Sequence, residues 1–249
     1  MGDLFFKALQ SLFSLFWRCE LSGGENVPVR GPAVFVSNHI GSYAPVAILA
    51  RFPIRLHPWV EHQTADWKRC PEYLRHDFVE PELHLKPPLS RLVAWFIAKP
   101  CVVLMKSIQA IPVYDRTMKM AMTWKRSLKH LKRNQWLAVF PENKAAPWNE
   151  VLHKFDQGFV GLAPLYHEKT GRTLYFFPVA VHKTAKAIKI GPSVAYDPKN
   201  TFSAERERIA TALQNRITEM YFSLGSSPAD PERSASFPND RRPSSRGEA

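Results

Sequence analysis

Along residues 4–17, LFFKALQSLFSLFW, bulky side chains return at Phe5, Leu9, Leu12, Phe13 and Phe16, with Lys7, Gln10, Ser11 and Ser14 between them. That spacing predicts an amphipathic helix. Such a helix either packs on the rest of the domain or lies in a lipid interface, with Trp17 and Arg18 at headgroup level. After Gly23-Gly24 the pattern changes to short apolar runs. Residues 33–37 (AVFVS), 54–60, 108–114, 136–140, 173–181, 187–190 and 194–196 read as strands. Residues 45–50, 117–134, 158–168 and 201–224 read as helices, and 89–105 as an apolar helix interrupted by Pro100. That apolar stretch is either a kinked core helix or a second lipid-facing patch. Residues 61–88 show no clear period. Strands alternating with helices predict an α/β layer fold.

The last 25 residues, 225–249, contain six Ser and four Pro but no Leu, Ile or Val. They cannot bury enough apolar surface to offset ordering, so a disordered tail is expected. The chain thus divides into an amphipathic segment 1–22, one domain over 23–224 and the tail 225–249.

Composition narrows the classes. Lys and Arg number 34 against 22 Asp and Glu, a formal charge of +12. Such a charge attracts anionic partners: nucleic acid, acidic headgroups or phosphorylated substrates. No nucleic-acid module stands out, and no sheet pattern interleaves aromatic with basic residues, so nucleic acid is not the expected partner. The three cysteines, Cys19, Cys70 and Cys101, form no CxxC pair, which argues against a disulfide framework or structural zinc and fits a reducing compartment. No apolar run reaches the roughly 18 residues of a spanning helix. Residues 1–20 lack the basic n-region and cleavage site of a secretory signal. The expectation is a peripheral protein that meets a membrane from its cytoplasmic face.

The candidate chemistry begins at His39. It follows the 33–37 run, which places an imidazole at a strand end, where ligands bind in open α/β sheets. Asn38 beside it suits a helix cap. Three later apolar runs also stop at functional groups. Ile111-Pro112-Val113-Tyr114-Asp115-Arg116 ends in an arginine, Val139-Phe140-Pro141-Glu142-Asn143-Lys144 in a glutamate and a lysine, and Phe177-Pro178-Val179-Ala180-Val181 carries an internal proline. Strand ends on one rim would gather His39, Arg116, Glu142 and Lys144 into one site. No HExxH spacing is present, so no metal is assigned. The absence of G-x-S-x-G argues against an α/β-hydrolase.

In order and spacing these four segments resemble the four blocks of the lysophospholipid acyltransferase family, which includes 1-acyl-glycerol-3-phosphate acyltransferases. Asn38-His39 resemble the start of Asn-His-x4-Asp, Asp115-Arg116 the second block, Phe140-Pro141-Glu142 the start of Phe-Pro-Glu-Gly, and residues 177–181 the Val-Pro-Val-like strand. The resemblance covers roughly residues 30–190. It implies a single domain with a mixed central sheet flanked by helices. It further implies acyl transfer from acyl-CoA or acyl carrier protein to a lysophospholipid-like acceptor, with no other cofactor and with membrane lipids as partners. His39 would be the base. Arg116, Glu142, Lys144 and Asn38 would lie on the substrate side.

Two departures matter. The fifth residue after His39 is Ala44 where the family has Asp, and Asn143-Lys144-Ala145-Ala146 replaces Gly-Thr-Arg-Ser. Ala44 has three readings. Another group orients His39, with Glu61, Asp66, Ser42 and Tyr43 as candidates. Alternatively the acceptor is an amine, which needs proton removal only after attack. Or the protein binds lipid or acyl carrier without turnover.

Overall fold

The computed structural model describes residues 10–11, 14, 18–114, 117–149 and 151–226, with residues 117–119 and 144 described by backbone alone. Most of the expected N-terminal helix, and the tail beyond residue 226, lie outside the described residues. Gln10, Ser11 and Ser14 are helical, and the Gln10 amide donates to the carbonyls of Phe52 at 2.7 Å and Leu49 at 3.3 Å.

The strands run β1 Glu20–Ser22, β2 Ala33–Ser37, β3 Leu56–Glu61, β4 Ile111–Val113, β5 Trp136–Val139, β6 Glu142–Pro147, β7 His153–Phe155, β8 Tyr175–His182, β9 Ala187–Ile190 and β10 Val194–Ala195. The longer helices are α1 Tyr43–Arg51, α2 Leu89–Ser107, α3 Thr117–Leu131, α4 Leu162–Thr170 and α5 Phe202–Gly225. An eight-stranded sheet has the order β1-β9-β8-β2-β5-β3-β4, with β10 also on β8; β6 and β7 form a separate hairpin. β8, β2, β5, β3 and β4 are mutually parallel, while β9 and β10 run antiparallel to β8. The sheet is therefore mixed and mostly parallel, in one domain flanked by helices.

β2 is buried along its whole length because both faces are covered. Its alternate residues feed two cores. Val34 and Val36 face one cluster with Leu137, Phe176 and, from α5, Ile209 and Leu213. Ala33 and Phe35 face the other, with Phe177, Ala47 and Ile48. Pro178 sits in β8 between its pairings with β10 at Phe176 and β9 at Val179, and its carbonyl accepts from Gly191 N–H at 2.9 Å.

The patternless stretch 61–88 forms short turns: 3-10 at His62–Ala65, α at Cys70–Leu74, π at Arg75–Val79 and α at Glu80–Leu83. β1 and the β6–β7 hairpin had no clear sequence signature. Glu20–Ser22, inside the segment expected to be amphipathic helix, pairs in parallel with β9 as the sheet's edge. Among the described residues no helix is long and apolar enough to cross a membrane.

Candidate functional site

The parallel strands deliver their carboxyl ends to one rim, and His39 stands there between β2 and α1. Three anchors fix its loop. Asn38, 1% exposed, donates its amide to Val181 O at 2.9 Å and accepts from Val181 N–H at 2.8 Å, clamping β2 to β8. The His39 backbone N–H donates to Glu142 Oε1 at 2.5 Å. Ser42 donates to Glu82 from its backbone N–H at 3.0 Å and its hydroxyl at 2.9 Å. The last contact places a carboxylate at the N-terminus of α1, where the helix dipole favours it. Gly41 is required between these anchors: its φ is +49°, and a Cβ would meet Glu82 Oε1 at 2.5 Å.

The His39 ring meets Phe140 edge-to-face at 5.5 Å and opens on a cavity of about 1110 Å³. Its lining is largely apolar and includes Ile48, Leu56 and Trp59, Leu104 and Met105 from α2, and Ile108 just past that helix. Its charged lining among the described residues consists of Glu61, Asp77, Glu82, Glu142 and Asp156, with His39 and His153 and no lysine or arginine. Cavities of this size and make-up hold amphiphilic small molecules.

His153 was missed in the sequence. Its backbone N–H donates to Glu142 Oε2 at 2.8 Å, and its Nδ1 lies 3.2 Å from the same oxygen. One carboxylate, its side chain 5% exposed, thus ties two histidines to the rim. The hairpin carrying His153 is shaped by Asn149, whose Oδ1 accepts from Val151 and Leu152 N–H, both at 2.8 Å. The Asn149 amide also reaches Thr218 on α5 at 3.0 Å. The readable signal was Pro147-Trp148-Asn149, a turn-forming run between two short segments.

The predicted site residues are placed unevenly. His39 and Glu142 are brought together. Asn38, expected on the substrate side and as a helix cap, is instead consumed by β8 and does not line the cavity. Lys144 lies in β6, two residues beyond Glu142, with its backbone alone described. Arg116 falls outside the described residues. Asn143 stands where the resemblance expects Gly: its Oδ1 accepts from Ala145 N–H at 3.0 Å and its amide donates to Asp156 at 3.2 Å.

Of the candidates to replace the aspartate, Glu61 lines the cavity and Asp66 does not. The Tyr43 hydroxyl lies 3.1 Å from Cys19 Sγ, and burial beside that thiol pushes its pKa well up. Ala44 itself, in the first turn of α1, is fully buried in the core and does not line the cavity. Among the described residues no three His, Cys, Asp or Glu side chains gather as a metal site.

Fold and rim together define an α/β layer protein with a histidine-bearing cavity at the carboxyl ends of a mostly parallel sheet. No protein-family model matches the chain, and no curated protein matches it in sequence. Among solved structures it is similar in fold to the 1-acyl-sn-glycerophosphate acyltransferase PlsC of Thermotoga maritima. The TM-score is 0.55 at 16% identity, over 89% of this chain and 80% of that one.

Proposed function

We propose that the protein is an acyltransferase that moves a fatty acyl group from acyl-CoA or acyl carrier protein to a lysophospholipid-like acceptor, in phospholipid synthesis or remodelling. The observation that carries this reading is the meeting of His39 and Glu142 at the mouth of a largely apolar cavity, in a fold similar to that of an acyltransferase. The His39 imidazole takes the proton of the acceptor hydroxyl as the oxygen attacks the thioester carbonyl. The tetrahedral intermediate collapses, the C–S bond breaks, and the imidazolium returns the proton to the departing thiolate. Glu142 holds the backbone of His39 and His153 in register for this step. Arg116 and Lys144 are the cations proposed for a phosphate on the acceptor. Because these substrates are amphiphilic, the proposed location is the cytoplasmic face of a membrane, with the segment ahead of β1 meeting the interface.

One observation favours a second acceptor class. The described charged lining is five carboxylates and two histidines. That wall suits an amphiphilic amine better than a phosphate, because carboxylates attract an ammonium group and repel an anion. An amine also needs less of its base, since its proton leaves after attack, which fits a chain with Ala44 in place of the aspartate.

The test is acyl transfer by purified protein with labelled donors on both carriers, offered to lysophospholipids and to long-chain amines, wild type beside His39→Ala. Turnover that the variant loses supports the reading, and the preferred acceptor separates the two classes. Donor or lipid binding with no turnover on any acceptor replaces it with a catalytically degenerate lipid- or acyl-carrier-binding protein.

A further inference from the structure

Helix α2 shows the cavity one face and solvent another. Ser90, Ala94, Ala98 and Val102 are buried, and Cys101, Leu104 and Met105 line the cavity. The solvent side carries Leu89 at 50% exposure, Leu92 at 54%, Trp95 at 64%, Phe96 at 62% and Val103 at 41%. At about 100° per residue these five, with Lys99 and Lys106, fall within roughly a third of the helix circumference. Large apolar side chains grouped this way on an exposed face mark an interaction surface.

Charge identifies the partner. From Leu89 to Ser107 the helix has Arg91, Lys99 and Lys106 and no acidic residue. Lys106 Nζ sits 4.8 Å from the centroid of Trp67, itself 47% exposed, so the aromatic surface continues past the end of α2. Trp95 and Phe96 meet edge-to-face at 5.1 Å. Aromatic and leucine side chains flanked by long cations are the make-up of a face that enters the headgroup layer of an anionic bilayer. A protein partner of matching shape would not require an acid-free helix.

We propose that the outer face of α2 is a docking surface for an anionic lipid bilayer, separate from the N-terminal segment, and that it seats the cavity against the membrane. A lipid acceptor then enters along the helix that already walls the cavity. This extends the acyltransferase reading, but vesicle binding is measured without turnover, so the two can fail separately.

The experiment is co-sedimentation of the full chain with phosphatidylcholine vesicles, with and without phosphatidylglycerol. The variants are Leu92→Glu/Trp95→Glu/Phe96→Glu and Lys99→Gln/Lys106→Gln. All five positions are exposed and outside the cavity lining, and thermal unfolding like wild type verifies the fold. The triple variant is expected to lose vesicle binding at least about tenfold. The double variant is expected to weaken binding by about 20-fold on phosphatidylglycerol vesicles and little on phosphatidylcholine alone. Quenching of tryptophan fluorescence by brominated lipid is expected to fall in Trp95→Phe. Wild-type binding in both multiple variants overturns the proposal. So does a triple variant that binds vesicles normally but loses self-association by light scattering, which would make the face a contact between copies.

Discussion

Glu205 and Glu142 both have side chains almost closed to solvent, and their surroundings differ in kind. Glu205, in the first turn of α5, is held by a forked Arg208 at 2.7 and 2.8 Å, the Asp197 N–H at 2.8 Å and the Asn200 amide at 3.0 Å. The Arg208 guanidinium is the main cause that drives its pKa down to about 2. Glu142, at the cavity rim, is met by two backbone N–H groups and the ring of His153. A carboxylate locked to an arginine is a fixed strut. A carboxylate shared between backbone N–H groups and an imidazole leaves that imidazole oriented at a cavity mouth. The first arrangement holds the helix layer in place, and the second places titratable groups where a substrate can reach them.

The sharpest way to break this contrast is to attack the rim. His39→Ala is expected to lower kcat by about 10²–10⁴-fold, the usual contribution of a general base. The urea midpoint should barely move, because the side chain is only half-buried. Glu142→Gln keeps the shape but can accept at one oxygen only, and is expected to cost about 10–100-fold in kcat with little change in KM. If Glu142→Gln unfolds the protein and leaves the activity per folded molecule intact, Glu142 is a strut like Glu205 and the contrast collapses.

The converse belongs to α5. Arg208→Ala removes the cation from a fully buried carboxylate, leaving it the Asp197 N–H and the Asn200 amide, and is expected to cost about 3–5 kcal/mol of stability, with turnover per folded molecule unchanged. Urea titration beside an activity assay separates the two. The wild-type contribution has a defined window. Glu205's pKa is depressed, so its stabilisation is complete above an unfolded value of about 4.5 and fades as pH falls toward about 2.

The sequence showed the repeating parts of this molecule better than its junctions. β2 was readable because five apolar or small residues in a row suit a strand covered on both faces. α2 was readable despite Pro100 because the apolar run persists through it. His39 and Glu142 were readable as neighbours because both follow parallel strands, and parallel strands end on one rim. The partner of Asn38 was not legible, because an amide beside a strand end is equally suited to a cap, a ligand or a neighbouring strand, and it is the parallel pairing with β8 that brings Val181 to it. Glu82 and His153 reach the site from short turns and a small hairpin. Neither has a period to read, and their contacts with Ser42 and Glu142 span 40 and 11 residues. β1 was hidden because three residues at a sheet edge carry no pattern of their own.

The contrast extends to the histidines, and here the expected effect is smallest. His153 has a carboxylate beside it, whereas His57 on β3 is 1% exposed and stacks on His130 of α3 at 4.1 Å between ring centroids. Its Nδ1 lies 2.9 Å from Ile108 O, which suits a neutral ring donating to that carbonyl. Burial first, and then the His130 charge, push its pKa down to about 4, and burial lowers that of His130 as well. The folded state therefore takes up a proton at His57 less readily than the unfolded chain, whose histidine titrates near 6.5. Stability is then complete above about pH 6.5 and declines as pH falls toward about 4, by up to about 3 kcal/mol. This window lies above that of Glu205, so urea midpoints at pH 7, 5.5 and 4 read His57 before the glutamate contributes much. His57→Gln keeps a donor for Ile108 O but cannot take up the proton, and should flatten this part of the profile. An unchanged slope in that variant would rule His57 out as the source of the acid sensitivity.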